Sequence, residues 1–213
     1  MNTPVLYSFR RCPYCMRAHM ALKYAGIKAE LREVDLNNYP PQALEISPKA
    51  TVPVLLLPDG TVIDESWDIL KWALSQNDPD NWNGDNDKHT LDAEILIETN
   101  DFSFKEDLDH YKYADRYPEH NEEHYRQACE EFIGELDEML SENRYLLADQ
   151  LSLADIGVFP FIRQFSLVDK EWFDKAPYPN VQQWLNNLIE TKLFQQVFQK
   201  HDLWQEGAPV VYI

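Results

Sequence analysis

The feature that most constrains the fold is a pair of cysteines placed between an apolar run and a helical pattern. The run Val5 to Phe9 predicts a short buried strand, and the helical pattern that follows stops at Gly26. The pair lies in the segment Cys12-Pro13-Tyr14-Cys15, where the strand has ended and the helix begins. Pro13 suits the first helical position, where the N–H that proline lacks would have no intrahelical partner. Cys12 is therefore predicted to cap the helix.

The position of Cys12 predicts a reactive thiol. The first amides of a helix carry partial positive charge and stabilise an anion placed against them. Arg10 and Arg11 lie just before the cysteine, and Arg17 lies one turn into the helix. Because their charge adds to that of the helix, we expect the pKa of Cys12 to lie below the ~8.5 of a free thiol. Cys15 lies one turn further, more shielded, yet close enough to attack a disulfide formed at Cys12.

Composition and charge exclude several classes of protein. The 213 residues, 44% of them hydrophobic, suffice for one large domain or two small ones. Three cysteines are too few for a disulfide framework and favour a reducing, cytoplasmic environment. The start Met1-Asn2-Thr3-Pro4 is not expected to begin a signal peptide, and a membrane helix is not expected because no apolar run approaches ~20 residues. The net charge of -18 lies in residues 76–213, which hold 11 Lys and Arg against 29 Asp and Glu. This acidity argues against nucleic acid or an anionic membrane as a partner.

Hydrophobic patterning predicts two domains joined by a linker. Residues 1–76 read as strand, helix, strand, helix, hairpin and helix, which predicts a mixed sheet covered by helices. Residues 77–89 are polar and rich in turn formers, as linkers are. The elements predicted after the first strand and helix are a strand at Ala29 to Val34, a short irregular or helical segment from Pro40 to Ser47, a hairpin at Thr51 to Ile63 and a helix at Trp67 to Leu74.

Residues 90–213 are predicted to be helical throughout. Ser152-Leu153-Ala154-Asp155 has the spacing of a capping box and opens an apolar segment, which predicts a buried central helix. Pro118 separates two long acidic helices that precede it. The predicted helices are Thr90 to Ala114, Glu122 to Leu140, Leu153 to Phe165, Val181 to Ile189 and Lys192 to Phe198.

Four motifs occur in order along the chain: Cys12-Pro13-Tyr14-Cys15, Thr51-Val52-Pro53-Val54-Leu55, Glu65-Ser66-Trp67-Asp68-Ile69 and Ser152-Leu153-Ala154-Asp155. On these motifs the chain resembles the glutathione transferase superfamily with a glutaredoxin-type active site. It is similar in appearance to the two-domain bacterial glutaredoxins and the omega-like cysteine transferases. The resemblance implies an α/β thioredoxin-like N-terminal domain followed by an all-helical (all-α) C-terminal domain of the transferase type.

The resemblance also implies a glutathione site along the first domain, with glutathione as co-substrate. It implies a cis peptide bond between Val52 and Pro53, which turns the backbone of Val52 toward the cysteinyl part of glutathione. Ser66 and its amide would bind the γ-glutamyl carboxylate, and Glu65 would bind the ammonium group. Lys49 would meet the glycyl carboxylate. Ser66 and Glu65 could instead serve only their own helix, as a cap and a dipole partner.

The leading functional hypothesis is a glutathione-dependent thiol-disulfide oxidoreductase. Cys12 would attack a disulfide, Cys15 or glutathione would resolve the mixed disulfide, and Tyr14 would line the pocket beside the sulfur. One alternative is a transferase that conjugates glutathione to small electrophiles, with Tyr7 or Ser8 stabilising its thiolate. A second is a binding or regulatory protein without turnover. The expected partners are glutathione and a disulfide or electrophilic substrate, small molecule or protein, and a homodimer stays open.

A metal site is not expected. The Cys-x-x-Cys pair is half a zinc site without a second half, and Cys129 is expected to be a small core residue. His120 and His124 share a helical spacing but have no evident third ligand. His19 is interpreted as a packing or surface residue.

Overall fold

The computed structural model describes residues 3–84 and 87–213, which form two compact units. The first unit joins Met1–Asp80 with the C-terminal segment Thr191–Ile213, and the second is Asn81–Glu190. Within the described ranges, no helix combines the length and the apolar character needed to cross a membrane.

The first unit is built on a five-stranded sheet of mixed direction. Its strands are β1 (Val5–Ser8), β2 (Glu30–Glu33), β3 (Val54–Leu56), β4 (Val62–Ile63) and β5 (Val211–Tyr212), in the spatial order β4-β3-β1-β2-β5. β1 pairs in parallel with β2, whereas the β1–β3, β3–β4 and β2–β5 pairs are antiparallel. Three helices follow in the same region: α1 (Pro13–Tyr24), α2 (Pro41–Ile46) and α3 (Ser66–Gln76). The predicted order of elements up to α3 is confirmed, with shorter strands than the sequence suggested.

Strand β1 lies in the core of the first unit, and its end delivers the cysteine pair. All four of its residues are buried. Since successive side chains of a strand point to opposite faces, burial of every position means that both faces of β1 are covered. On one face, Val5 and Tyr7 cluster with Val34, Ala43 and Val54. The loop from Phe9 to Cys12 therefore starts from a rigid base.

The predicted hairpin is formed by β3 and β4. The N–H of Leu57 donates to the carbonyl of Thr61 at 2.8 Å, and the N–H of Gly60 donates to the carbonyl of Leu57 at 3.0 Å. Gly60 has φ +90°, a conformation that side chains strongly disfavour. The Pro58-Asp59-Gly60 turn thus holds β4 next to β3.

In the part of the second unit that the structure describes, the regular elements are helices. Its first long helix differs from the prediction, because a π-helical segment divides it at Thr99–Phe104. There the hydroxyl of Thr99 donates to the carbonyl of Ile95 at 3.0 Å, which competes with the regular backbone bond. The N–H of Lys105 reaches back five residues to the carbonyl of Asn100. The helices are α4 (Asp87–Glu98), α5 (Lys105–Lys112), α6 (Glu122–Glu142), α7 (Leu153–Ser166), α8 (Lys170–Phe173) and α9 (Pro179–Ile189), with a 3-10 turn at Ala114–Arg116.

Helix α7 is the buried helix that the capping-box motif predicted. Ser152 is its N-cap, and the reciprocal bonds between Ser152 and Asp155 are both present. The Asp155 carboxylate is fully buried and also accepts from the N–H of Leu146 at 3.0 Å and from Nε1 of Trp184 at 2.9 Å. One carboxylate therefore ties α7 to the preceding loop and to α9.

The prediction that residues 90–213 form one helical domain is wrong for Thr191–Ile213. This segment belongs to the first unit, where helix α10 (Lys192–Val197) packs against α1 and β5 pairs with β2. The N–H of Trp204 donates to the carbonyl of Glu33 at 2.8 Å, and the N–H of Ile213 donates to the carbonyl of Ala29 at 3.0 Å. β5 forms because the N–H and C=O groups along the edge of β2 need hydrogen-bond partners. It could not be predicted from the sequence because a two-residue strand is too short to show the alternation of apolar and polar residues that predicts a strand.

Candidate active site

Cys12 lies at the N-terminus of α1, at the end of the loop that connects β1 to this helix. Its φ of -76° and ψ of 125° are extended, Pro13 occupies the first turn, and the Cys12 carbonyl accepts from the N–H of Met16 at 3.0 Å. The predicted cap position is therefore confirmed. The side chain is partly exposed, and Sγ lies 3.8 Å from the carbonyl oxygen of Val52. A sulfur in this position faces the positive end of the helix and is open to a reactant.

Cys15 is buried and differs chemically from Cys12. Its side chain is 1% exposed, and its Sγ accepts from the N–H of Phe9 at 3.3 Å. Burial raises the pKa of Cys15 well above its usual value, and a hydrogen bond with Cys12 and the charge of Cys12 raise it further. The described cysteines are free thiols. The pair thus combines an accessible sulfur with a buried, protonated one in hydrogen-bond contact with it.

The arginines near Cys12 have different environments. Arg17 is fully buried, and its Nη1 donates to Oγ of Ser66 at 3.1 Å. Arg10 instead turns to the C-terminal segment, with its guanidinium 4.6 Å from the ring centroid of Phe198. Arg11 is exposed. Of the three arginines predicted to lower the pKa of Cys12, Arg17 is therefore buried inside the first unit. Its guanidinium contacts Ser66, a residue of the predicted glutathione site.

The Val52–Pro53 segment lies beside Cys12. The Val52–Pro53 peptide bond is cis, the isomer that the resemblance implied. The carbonyl of Val52 faces the Cys12 sulfur, Val52 is half-buried and Pro53 is buried. The structure thus brings together the first motif and the second, which are 40 residues apart in sequence.

Ser66, Glu65 and Lys49 surround the start of α3. Glu65 is the N-cap of α3 and Ser66 is its first residue, so Ser66 does not cap the helix. Lys49 donates to Glu65 at 2.7 Å and also pairs with Asp64 at 3.2 Å. The hydrogen bond to Glu65, followed by that to Asp64, raises the pKa of Lys49. Lys49 and Glu65, predicted to bind opposite ends of glutathione, therefore bind each other here through an exposed pair of the kind that contributes little stability.

The side chains predicted to lie beside the Cys12 sulfur are Tyr14, Tyr7 and Ser8. Tyr14 is half-exposed on the first turn of α1, with its ring centroid 5.6 Å from the Arg17 guanidinium. Tyr7 is 1% exposed, and its hydroxyl accepts from Nη1 of Arg32 at 2.6 Å. Ser8 is buried and hydrogen-bonds to Cys15. Tyr7 and Ser8 are therefore committed to interior partners.

Sequence reasoning missed two residues near the cysteines. Glu33 is buried, and its Oε1 accepts from the N–H of Arg10 at 2.7 Å, which fixes the loop that leads to Cys12. Burial raises the pKa of Glu33, although the bond from Arg10 offsets part of the effect. Tyr39, between β2 and α2, packs on the cluster of Val5 and Tyr7, and its hydroxyl is buried. Neither residue belongs to a motif, so the sequence held no signal for them.

The remaining candidates lie outside this cluster. Cys129 is fully buried, as expected, and burial raises its pKa. His19 is buried inside α1, and burial, followed by the charges of Lys23 and His201, lowers its pKa to about 3. The rings of His120 and His124 stack with centroids 3.9 Å apart. Across residues 3–84 and 87–213, no group of three or more His, Cys, Asp or Glu side chains is placed to hold a metal ion.

Comparison with known proteins shows which family this chain matches. A family model described as "Glutathione S-transferase, N-terminal domain" matches residues 6–82, and one described as "Glutathione S-transferase, C-terminal domain" matches residues 114–187. The chain is 24% identical over 189 residues to glutathione S-transferase D7 of Anopheles gambiae, a match covering 86% of this chain and 84% of that protein. It is 41% identical over 61 residues to glutathione S-transferase omega-1 of Rattus norvegicus, covering 29% of this chain and 25% of that relative.

Solved structures show the same fold. A glutathione transferase family member from Pseudomonas fluorescens, crystallised with two glutathione bound, superposes with a TM-score of 0.79 at 18% identity, covering 92% of each chain. BphK, a bacterial GST, superposes with a TM-score of 0.79 at 22% identity, covering 91% of this chain and 97% of that one. The thioredoxin-like sheet of the first unit and the helices of the second match these neighbours. On the two family models together, the chain belongs to the glutathione S-transferase family.

Proposed function

We propose that the protein is a glutathione-dependent thiol-disulfide oxidoreductase with Cys12 as its nucleophile. The observation that carries the proposal is the contact between a partly exposed Cys12 at a helix N-terminus and a buried, protonated Cys15. The helix N-terminus favours the thiolate form of Cys12, which is the nucleophile in disulfide exchange. A protein that only bound glutathione would need neither thiol.

The proposed glutathione site follows the edge of the first unit. The backbone of Val52, next to the Cys12 sulfur, is available to pair with the cysteinyl part of glutathione as an added strand would. At the start of α3, the amide and hydroxyl of Ser66, backed by Arg17, suit the γ-glutamyl carboxylate. Glutathione would separate the exposed Lys49–Glu65 pair, Lys49 taking the glycyl carboxylate and Glu65 the ammonium group. Relatives of this fold that were crystallised with glutathione bound support the assignment.

The proposed reaction begins when the Cys12 thiolate attacks the glutathione sulfur of a glutathionylated substrate. A bond forms between Cys12 and glutathione, and the substrate leaves as a thiolate that takes up a proton. A second glutathione, as thiolate, then attacks the mixed disulfide and leaves as glutathione disulfide, which restores Cys12. Cys15 provides the other route, because its thiolate can displace glutathione and form a Cys12–Cys15 disulfide. Tyr14 would line the pocket on the exposed side of the sulfur.

Conjugation of glutathione to small electrophiles is the alternative that family membership supports. Such an enzyme stabilises the glutathione thiolate with a hydroxyl group. The two hydroxyls that the sequence suggests for this role do not favour it, because Tyr7 is bonded to Arg32 and Ser8 is buried against Cys15. A disulfide is therefore the better proposal for the second substrate than an electrophile.

The test is reduction of a mixed disulfide between glutathione and 2-mercaptoethanol, coupled to glutathione reductase. Cys12→Ser should abolish turnover, whereas Cys15→Ser should retain it through the glutathione route. Cys129→Ala is the matched control, since it removes a thiol from the other unit, and it should turn over as the wild type does. Undiminished activity in Cys12→Ser would rule out the proposal. Conjugation of 1-chloro-2,4-dinitrobenzene by that variant at the wild-type rate would instead favour the alternative.

A further inference from the structure

We propose that the hydroxyl of Tyr39 donates a hydrogen bond to the sulfur of Cys15 when Cys15 becomes a thiolate, and so assists the resolving step. The inference rests on the proposed function and deepens it. It assigns a role to a residue that lies outside the four sequence motifs and enters the site only through the fold.

The position of the Tyr39 ring supports this role. The ring packs on the cluster that contains Val5, Tyr7 and Val54, and Phe9 and Val52 pack on the same cluster. Phe9 donates its N–H to the Cys15 sulfur at 3.3 Å, and the Val52 carbonyl lies 3.8 Å from the Cys12 sulfur. Tyr39 therefore packs on the same cluster as the two residues whose backbone groups contact the sulfurs of Cys15 and Cys12.

The Tyr39 hydroxyl is buried and has no hydrogen-bond partner among the described residues. A buried hydroxyl without a partner destabilises a protein, and such a group calls for a functional explanation. Tyr7, in the same cluster, provides the contrast, because its hydroxyl is satisfied by Arg32 at 2.6 Å. The unused donor of Tyr39 is therefore specific to its own position in the cluster.

Burial and the nearby cysteines determine whether the Tyr39 hydroxyl acts as a hydrogen-bond donor or as a base. Burial, followed by the negative charges of Cys15 and Cys12, raises the pKa of Tyr39. The hydroxyl thus keeps its proton and acts as a donor, not as a base. Burial raises the pKa of Cys15 in the same way, so a thiolate at that position needs hydrogen-bond donors. The N–H of Phe9 and the hydroxyl of Ser8 are two such donors, and Tyr39 would be the third.

In the resolving step, Cys15 releases its proton to solvent and its thiolate attacks the Cys12 sulfur of the mixed disulfide. The bond between Cys12 and glutathione breaks, and glutathione leaves as a thiolate that takes up a proton. Cys12 stays in a disulfide throughout this exchange, Cys15 is oxidised from thiolate to disulfide, and the glutathione sulfur is reduced from disulfide to thiol, so no further oxidant is needed. Tyr39 stabilises the negative sulfur before the attack and takes no part in electron transfer.

The test follows glutathione release after the reduced protein is mixed with glutathione disulfide and quenched with acid. Attack by Cys12 releases the first equivalent, and attack by Cys15 releases the second. Tyr39→Phe removes the hydroxyl and keeps the ring, so the first equivalent should appear at the wild-type rate. The second should appear about tenfold more slowly, the effect of one hydrogen bond to a charged group.

Two variants serve as controls for this experiment. Tyr7→Phe removes a buried hydroxyl from the same cluster and should leave both rates unchanged. Cys15→Ser should release only the first equivalent, at the same rate with Tyr or Phe at position 39. A second equivalent that Tyr39→Phe does not slow, or a slowed first equivalent, would overturn the inference.

A second measurement separates this inference from the proposed function. In a Cys12→Ser background without glutathione, the Cys15 thiol is titrated by NMR of cysteine labelled with 13C at Cβ. Tyr39→Phe should move this titration upward by about one pH unit. An unmoved titration would refute the hydrogen bond. If the wild type released no glutathione while the titration moved as expected, the proposed function would fail and the hydrogen bond would stand.

Discussion

Replacement of Asp155 by Asn should destabilise the second unit strongly, although the two side chains have nearly the same size. Oδ1 of Asp155 accepts from the N–H of Leu146 at 3.0 Å and from Nε1 of Trp184 at 2.9 Å. Oδ2 accepts from the N–H of Ser152 at 3.0 Å and from its hydroxyl at 2.9 Å. The carboxylate is fully buried, so water cannot replace a lost bond.

The magnitude follows from these four bonds. In Asp155→Asn, the amide oxygen can still accept from Leu146 and Trp184. The amide nitrogen then faces the N–H of Ser152, so that two donors oppose each other and one buried N–H loses its partner. A buried donor without a partner costs about 1–3 kcal/mol, and the retained bonds lose the contribution of a charged acceptor. We therefore expect the free energy of unfolding to fall by about 3 kcal/mol.

The assay is urea unfolding followed by circular dichroism and by tryptophan fluorescence. Asp137→Asn is the matched control, because Asp137 accepts from the N–H of Val181 at 2.9 Å and from Asn180 at 3.0 Å but is only half-buried. Water can satisfy the groups that this control leaves unpaired, so its loss should stay below about 1 kcal/mol. Equal losses in the two variants would refute the reasoning from burial.

Three further predictions concern the first unit. Arg17→Met should raise the KM for glutathione about tenfold with little change in kcat, because the charged donor that holds Ser66 is lost; an unchanged KM would contradict the proposed site. Because burial lowers the pKa of His19 to about 3 from 6.5, its contribution to stability is present above pH 6.5 and is lost as the pH falls toward 3. His19→Met should weaken this acid dependence of the unfolding free energy by up to about 4 kcal/mol, and an identical pH dependence would show that His19 is not the group. Deletion of residues 205–213 exposes the edge of β2 and should increase association in sedimentation experiments, whereas unchanged sedimentation would show that β5 does not protect the edge.

Homodimer formation, which the resemblance leaves open, stays a prediction and is tested by sedimentation of the full chain.

Local sequence determined the chemistry at the start of α1. Pro13 cannot donate an N–H and therefore suits the first helical turn, and this places Cys12 at the cap and Cys15 one turn inside. The hairpin turn with Gly60 and the capping box of Ser152 and Asp155 are similarly local. Each depends on residues a few positions apart, whose geometry the chain itself restricts. These features were predicted correctly because no distant segment was needed to form them.

Distant contacts decided which predicted groups are free to act. The sequence could not show that Arg17 is buried against Ser66, that Lys49 pairs with Glu65 or that Tyr7 is bonded to Arg32. These contacts join side chains that lie 16 to 49 positions apart along the chain. Such pairings arise only after the sheet and helices have packed, and several partners of suitable charge compete for each group.

The C-terminal segment, residues 191–213, likewise depends on a distant contact that the sequence does not reveal. The sequence predicts a helix at Lys192 to Phe198 and no strand after it, and therefore assigns residues 191–213 to the helical domain. The tertiary structure placed them on the first unit, because the edge of β2 offered unpaired backbone groups that Val211 and Tyr212 could satisfy. Backbone hydrogen bonding between strands depends on which edge is open and hardly on side-chain identity. The amino-acid sequence therefore determined the position of the cysteine pair at the start of α1, while the tertiary structure decided which distant groups surround it.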